Sequence, residues 1–293
     1  MVYILHNPLA NNGKAPDSDT VMKSLSFAEE YRTFLLGETD LCDFRDMLTE
    51  NDKVILCGGD GTLNRFINDT RDMIFPCRIY LYHAGTGNDF MNDVADKVEN
   101  NAVELSPYLD NLPEVTVNGN TYLFINGIGF GIDGVACEIA DDMKAKGAET
   151  INYAAITVKQ LLFKYKCPNA TVTVDGEERR YSRVWLASAM KGRYYGGGMI
   201  IAPEQNREDG LLSCVVLHGG MRLKALLVFT KIFKGEHVKH KEMVDIRKGK
   251  EISVVFDRPT ALQIDGETIR GVTSYTARAA VHAKVKEGSV RRR

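Results

Sequence analysis

No two of the six cysteines, at 42, 57, 77, 137, 167 and 214, form a C-x-x-C pair. Most stand in apolar runs, where a thiol behaves as a small hydrophobe. A cysteine metal cage is therefore excluded and a reducing cytoplasm is expected. The six histidines lack metal-ligand spacing; His237 and His240 lie three apart, but among Lys234, Lys239 and Lys241. No stretch approaches the ~18–20 apolar residues of a membrane span. The opening Met1-Val2-Tyr3-Ile4-Leu5 before His6-Asn7-Pro8 is too short and too little basic for a signal peptide. Net charge is also nearly absent: 37 Lys and Arg against 39 Asp and Glu leave −2. A molecule so balanced is not a polyanion binder as a whole, so no nucleic-acid partner is expected. The basic tail Arg291-Arg292-Arg293 reads as a solvated end. Missing too are the Walker pattern G-x-x-x-x-G-K-[ST], the protein-kinase catalytic loop and the hydrolase G-x-S-x-G. There are no internal repeats and no low-complexity linker.

What is present is a regular alternation in the first third. Val2 to Leu5 predicts a buried strand, residues 18–31 a helix, Phe34 to Leu36 a strand and Cys42 to Leu48 a short helix. Lys53 to Cys57 predicts a strand ending in a glycine turn, Leu63 to Asn68 a helix, and Ile79 to Tyr82 a strand ending in a second glycine turn. Strands alternating with helices imply βαβ units and a parallel sheet, whose ligands sit beyond the carboxyl ends of the strands. After about residue 112 the pattern changes. Val115 to Val117, Asn118-Gly119 and Tyr122 to Ile125 predict a hairpin. Ala170 to Val174 and Arg183 to Ala189 flank Asp175-Gly176 in the same manner. Short strands at Leu211 to Leu217, Glu251 to Phe256 and Ala261 to Ile264 complete an antiparallel half, a sandwich interrupted by helices near 135–166 and 221–234.

Five constellations carry chemistry. In Gly58-Gly59-Asp60-Gly61-Thr62 the glycines allow φ > 0 and a close approach of backbone amides to a phosphate, and the following helix N-terminus favours an anion. Thr62 would cap that helix or contact the phosphate. Asp60 would repel the phosphates unless Mg²⁺ or a hydroxyl proton lies between them. A capped strand-to-helix turn explains the same residues. Gly85-Thr86-Gly87-Asn88-Asp89 repeats the arrangement at the next strand end. Gly129-Phe130-Gly131-Ile132-Asp133-Gly134 matches G-x-G-x-x-G, but no acidic residue closes a strand about 20 residues on, so a dinucleotide fold is rejected. Tyr195 to Met199 with Pro203 to Gly210 offers glycines and Asp209 for a hard cation, or a plain turn. Asp265-Gly266-Glu267 is either a plain turn or a site where Glu267 accepts a hydroxyl proton.

These elements in this order, with Asn7-Pro8 in the first loop, resemble the diacylglycerol kinase catalytic family in its bacterial lipid-kinase branch, related to sphingosine and ceramide kinases and distantly to NAD kinases. The resemblance covers essentially the whole chain. It implies a Rossmann-like, NAD-kinase-like α/β domain over 1–112, to which about 278–293 returns. A β-rich sandwich over 113–277 would follow. By position it implies an ATP site of Asn7, Thr39, Gly58, Gly59, Asp60, Gly61, Thr62, Leu63, Asn64, Arg65, Gly85 and Thr86. Asp60 would serve the catalytic magnesium network, Glu267 would be the general base, and Asn206, Asp209 and the Leu211 carbonyl would hold a structural Mg²⁺. Two departures stand out: a long first loop, Asn7 to Gly13, and Arg65 where many relatives carry glutamate.

The implied activity is phosphorylation of the hydroxyl of diacylglycerol or a similar lipid by ATP. A kinase for a soluble acceptor such as NAD explains the nucleotide site alone. A non-catalytic nucleotide-binding regulator would need neither Asp60 nor Glu267. The expected partner is a lipid at a membrane surface, met from the cytoplasmic face, with room for a homodimer. Ile151 to Lys166 and Met221 to Lys234 combine apolar stripes with lysines, as membrane-surface helices do, and as core-packing helices also do.

Overall fold

The computed structural model describes residues 1–283 except Leu9, Lys14, Glu149, Thr150 and Thr86, the last a predicted phosphate contact; the side chains of Asn11, Asn12 and 280–283 are likewise outside it. The chain divides into two compact units, Met1–Leu112 and Pro113–Ala280, and the end of the last strand from Val281 groups with the first. The predicted return of 278–293 falls largely on 284–293, outside the described residues.

The first unit contains β1 (Val2–His6), α1 (Ser18–Leu25), β2 (Tyr31–Leu35), α2 (Leu41–Asp46), β3 (Lys53–Gly58), α3 (Asp60–Asp69), β4 (Arg78–His83), α4 (Asp89–Asp93), β5 (Ala102–Glu104) and α5 (Ser106–Leu109). Its sheet has the order β2-β1-β3-β4-β5, the first four strands parallel and β5 antiparallel. The runs Val2-Tyr3-Ile4-Leu5 and Val54-Ile55-Leu56-Cys57 are buried throughout, as strands covered on both faces must be. Tyr3, Phe34 and Phe44 pack edge-on or tilted on one side of it. Helix α1 is shorter than predicted. Ser26 takes the left-handed conformation (φ 54°) and returns its amide to Lys23, so the chain leaves the helix before β2.

The second unit contains β6 (Asn111–Val117, beginning in the first unit), β7 (Asn120–Leu123), β8 (Gly127–Phe130), α6 (Ile132–Ala145), α7 (Tyr153–Lys159), β9 (Ala170–Val174), β10 (Glu177–Tyr181) and β11 (Val184–Met190). It continues with β12 (Tyr194–Tyr195), β13 (Met199–Ile200), β14 (Leu212–His218), α8 (Arg222–Ile232), β15 (Val244–Gly249), β16 (Glu251–Ile264) and β17 (Glu267–Ala283). The two strands predicted over 251–264 are one. Its register shifts between Val255 and Thr260, around Pro259, which cannot donate to a ladder. Before the shift β16 pairs with β9; after it, with β8. A strand that changes partner at a bulge carries the network from one layer to the other and closes a β-sandwich. Phe130 stacks on Phe256 in the core, ring centroids 3.9 Å apart. The Asp175-Gly176 turn joins β9 to β10, not to the predicted strand at 183–189. Glu177-Glu178-Arg179-Arg180 is too charged to signal a strand, and pairing with β9 decides it.

Candidate active site

In the first unit the strand order reverses direction at β1: the chain passes from β1 outward to β2, then crosses back to β3 on the other side. Such a switch point opens a crevice beyond the carboxyl ends of the two strands, where open α/β sheets bind ligands. Asn7 follows β1 and Thr62 follows β3, and the Asn7 amide donates to the Thr62 hydroxyl across that gap at 2.7 Å. The predicted phosphate turn is thus tied to the first loop.

Helix α3 begins earlier than its apolar pattern indicates. Gly59 is its N-cap residue without a side-chain cap, and Asp60, Gly61, Thr62, Leu63 and Asn64 all lie in its opening turns. Thr62 therefore does not cap the helix. The Asp60 carboxylate accepts from the backbone amides of Asp89 (2.9 Å) and Phe90 (3.1 Å), so it caps α4 and joins the two glycine turns. None of the glycines in these turns has positive φ, contrary to the expectation. Their smallness serves contact instead. A Cβ on Gly85 would lie 2.5 Å from the Gly59 Cα, one on Gly59 3.0 Å from the Gly85 Cα, and one on Gly87 2.8 Å from Asp60 Oδ2. A Cβ on Gly58 would overlap the Thr62 side chain. Leu63 and Asn64 are buried beneath the turn.

Thr39 and Arg65 lie to one side. The Thr39 hydroxyl donates to the Leu35 carbonyl at 2.9 Å, closing the turn after β2. Arg65 is exposed, pairs with Asp69 at 3.3 Å, and holds its guanidinium over Gly37, where an added Cβ would meet both terminal nitrogens at 3.8 Å. The position predicted beside the phosphates faces the Gly37–Thr39 turn.

In the second unit Asp265 and Gly266 form a two-residue hairpin turn with φ of 47° and 98°, and Glu267 opens β17 as an exposed carboxylate opposite Ile264. Asp265 is the residue whose importance the sequence understated. Its carboxylate accepts from the amides of Ile125 (2.7 Å), Asn126 (2.9 Å) and Gly127 (2.8 Å), and the Gly266 amide donates to Gln263 at 2.7 Å. The place of Glu267 is fixed by these bonds. A local sign existed: an aspartate before glycine tolerates the left-handed conformation and bonds nearby backbone.

The predicted metal positions already have partners. Asp209 Oδ1 accepts from the Leu211 amide (3.0 Å) and Oδ2 from Lys248 Nζ (3.0 Å). Asn206 Oδ1 accepts from the Glu208 amide at 2.9 Å. The carbonyls of Asn206 and Leu211 both accept from Gln205 Nε2 at 3.0 Å. A hard cation wants several oxygens with net negative charge. Here one carboxylate is balanced by a lysine, and among the described residues no cluster of three or more His, Cys, Asp or Glu could hold a metal. The set does not fit a structural Mg²⁺.

The rejected G-x-G-x-x-G has a packing explanation. It follows β8 and opens α6, but a Cβ on Gly131 would lie 2.5 Å from the Trp185 carbonyl and one on Gly134 would overlap Ala261. The same segment buries Asp133. Burial pushes its carboxyl up to about 6, and the neighbouring Tyr195 hydroxyl and Gly134 amide only partly offset this.

The first unit, residues 1–112, matches the family model of the diacylglycerol kinase catalytic domain. Residues 126–283, more than half of the chain, match the YegS C-terminal NAD kinase beta sandwich-like domain. The chain belongs to the family of the YegS C-terminal NAD kinase beta sandwich-like domain, and its first 112 residues match the diacylglycerol kinase catalytic domain. It is 28% identical over 204 residues to a diacylglycerol kinase of Mycobacterium tuberculosis, covering 67% of this chain and 64% of that protein, just under two thirds of its length. It is 23% identical over 283 residues to a diacylglycerol kinase of Staphylococcus saprophyticus, covering 90% of this chain and 88% of that one. The crystal structure of a diacylglycerol kinase from Bacillus anthracis superposes with a TM-score of 0.65 at 20% identity, over 95% of this chain and 93% of the other, and so shares the fold.

Proposed function

We propose that this kinase transfers the γ-phosphoryl group of ATP to the hydroxyl of diacylglycerol or a similar lipid alcohol, working from the cytoplasm at the inner face of the membrane. One observation carries the nucleotide half of this reading: two glycine turns packed backbone to backbone, the first of them at the strand switch point, and bound to each other through Asp60. Their contact leaves the N-terminal amides of α3 at a crevice suited to phosphate oxygens. In this reading Asn7 and Thr62 orient the nucleotide, and Gly58 to Asn64 with Gly85 and Thr86 line its phosphates. Thr39 and Arg65 border it.

Asp60 sits one residue past the helix cap, anchored by two amides, and a carboxylate so placed suits a magnesium–water shell around the phosphates. Bound with ATP, Mg²⁺ would neutralise charge on the transferred group. Glu267, held exposed by the Asp265 anchor, accepts the proton of the attacking hydroxyl. A base contributes ~10²–10⁴-fold, with positioning and electrostatics supplying the remainder.

Incubation with radiolabelled ATP and a lipid extract, followed by thin-layer chromatography, tests the proposal. Label in a phospholipid spot, lost in Asp60→Ala, is expected. Label in a soluble acceptor such as NAD, or no transfer at all, would overturn the lipid assignment.

A further inference from the structure

Most of the large apolar side chains exposed by more than half of their surface gather in two segments of the second unit. Phe163 is 74% exposed in the turn that follows α7, and Met221, Leu223 and Leu227 are 74%, 69% and 64% exposed on and before α8. Helix α8 buries Ala225, Val228, Phe229 and Ile232 on its inner side. It is therefore apolar on both sides, which a solvated surface helix is not. The stripe predicted over 151–166 is largely not the exposed one. Leu161 and Tyr165 pack inward, whereas Phe163, in the same π turn Gln160–Lys164 as Leu161, is turned outward. Arg222 joins the segments: Nη1 donates to the Leu161 carbonyl at 2.7 Å and Nη2 to the Tyr165 carbonyl at 2.8 Å, with the guanidinium over Trp185. The apolar residues thus stand on one fixed surface.

Charge says what covers it. Residues 151–166 and 221–234 hold seven of the chain's 37 Lys and Arg and none of its 39 Asp and Glu, in a molecule of net charge −2. Lys159, Lys164, Lys166 and Lys234 are exposed there, while Lys224, also exposed, is paired with Glu242 at 2.9 Å. No helix among the described residues is long and apolar enough to cross a membrane. A protein partner of ordinary surface would not call for so one-sided a rim, whereas an anionic bilayer supplies both the apolar depth and the counter-charge.

We infer that the Phe163 turn and the outer side of α8 form a wedge that inserts into the headgroup region of an anionic membrane. The wedge gives the lipid-kinase reading its route to substrate and rests on that reading for its purpose, though not for its geometry. Its binding is steeply salt-dependent, since each basic residue near such a surface changes partition roughly fivefold.

Flotation of the full chain with vesicles of phosphatidylcholine alone, or of equal parts phosphatidylcholine and phosphatidylglycerol, reads the binding without turnover. Recovery with the anionic vesicles only is expected, with loss of at least about tenfold in the double variant Leu223→Glu, Leu227→Glu. Both positions are exposed, so that variant should unfold at the wild-type denaturant midpoint. Trp185, the chain's single tryptophan, is buried, so a Phe163→Trp variant reports locally, and its emission should shift blue on anionic vesicles. Equal flotation of wild type and double variant would overturn the inference. So would a double variant that changes only the sedimentation mass, because the surface would then be a self-association face. Phosphoryl transfer to detergent-dispersed lipid separates the two readings: it persists in the double variant if only the wedge is lost, and is absent from wild type if the lipid-kinase reading fails.

Discussion

The carboxylates of Asp60 and Asp265 accept from two and three backbone amides respectively. Each holds a turn in place beside a proposed site residue or is one, so substitutions must be read in both stability and turnover. Asp60→Ala should abolish transfer and cost about 1–3 kcal/mol in urea unfolding, the penalty for leaving buried donors unpaired. Asp265→Ala should cost at least as much and lower kcat through the displaced Glu267. Glu267→Gln, at an exposed strand start, should lower kcat with stability unchanged within about 0.5 kcal/mol. Asp133 makes a pH prediction. Its carboxyl is raised to about 6 by burial, from 3.8, so between those values the folded state holds a proton that the unfolded state releases. Its stabilising share is complete below pH ~4 and is lost as pH rises through ~6. Asp133→Asn should flatten the melting temperature over that window and gain on the order of 3 kcal/mol over wild type at pH 8, for a shift of about two units. A parallel pH dependence in both proteins would exclude this role.

At the scale of elements, the two glycine turns are one object. A Cβ on Gly85 meets the backbone of Gly59, and backbone cannot move aside as a side-chain tip can. Gly85→Ala should therefore displace α3 and α4 together, destabilising the first unit by about 1–3 kcal/mol and weakening ATP binding in calorimetry, although no conformational freedom of the glycine is lost. Arg65→Ala should leave the melting temperature unchanged, because its partner Asp69 lies one turn away on an exposed helix face. These turns were legible in the sequence as glycine clusters ending buried strands. The reason for the glycines was not: φ > 0 was the local reading, and contact between turns 26 residues apart is the structural one. Likewise β10 and the full length of β16 and β17 escaped a pattern reading. Charged Glu177 to Arg180 and the interrupting Pro259 are tolerated because neighbouring strands supply the pairing.

For the molecule as a whole, the order of elements along the chain was enough to imply an α/β unit followed by a β-sandwich, while the kinase expectation rested on the family resemblance that the constellations carry together. Local chemistry determined the fold: buried strand runs, glycine turns at their ends, and Asn-Gly and Asp-Gly hairpins. Tertiary structure decided what each conspicuous residue touches. It gave Asp60 to the amides of Asp89 and Phe90, Asp265 to the segment 125–127, and the predicted cation ligand Asp209 to Lys248. It also turned one apolar side of α8 inward and left the other exposed. Sequence spacing fixes which face or turn a residue occupies, because helix and strand periods are local. Which partner completes its hydrogen bonds, and whether an apolar face is covered, depends on segments brought together only by folding.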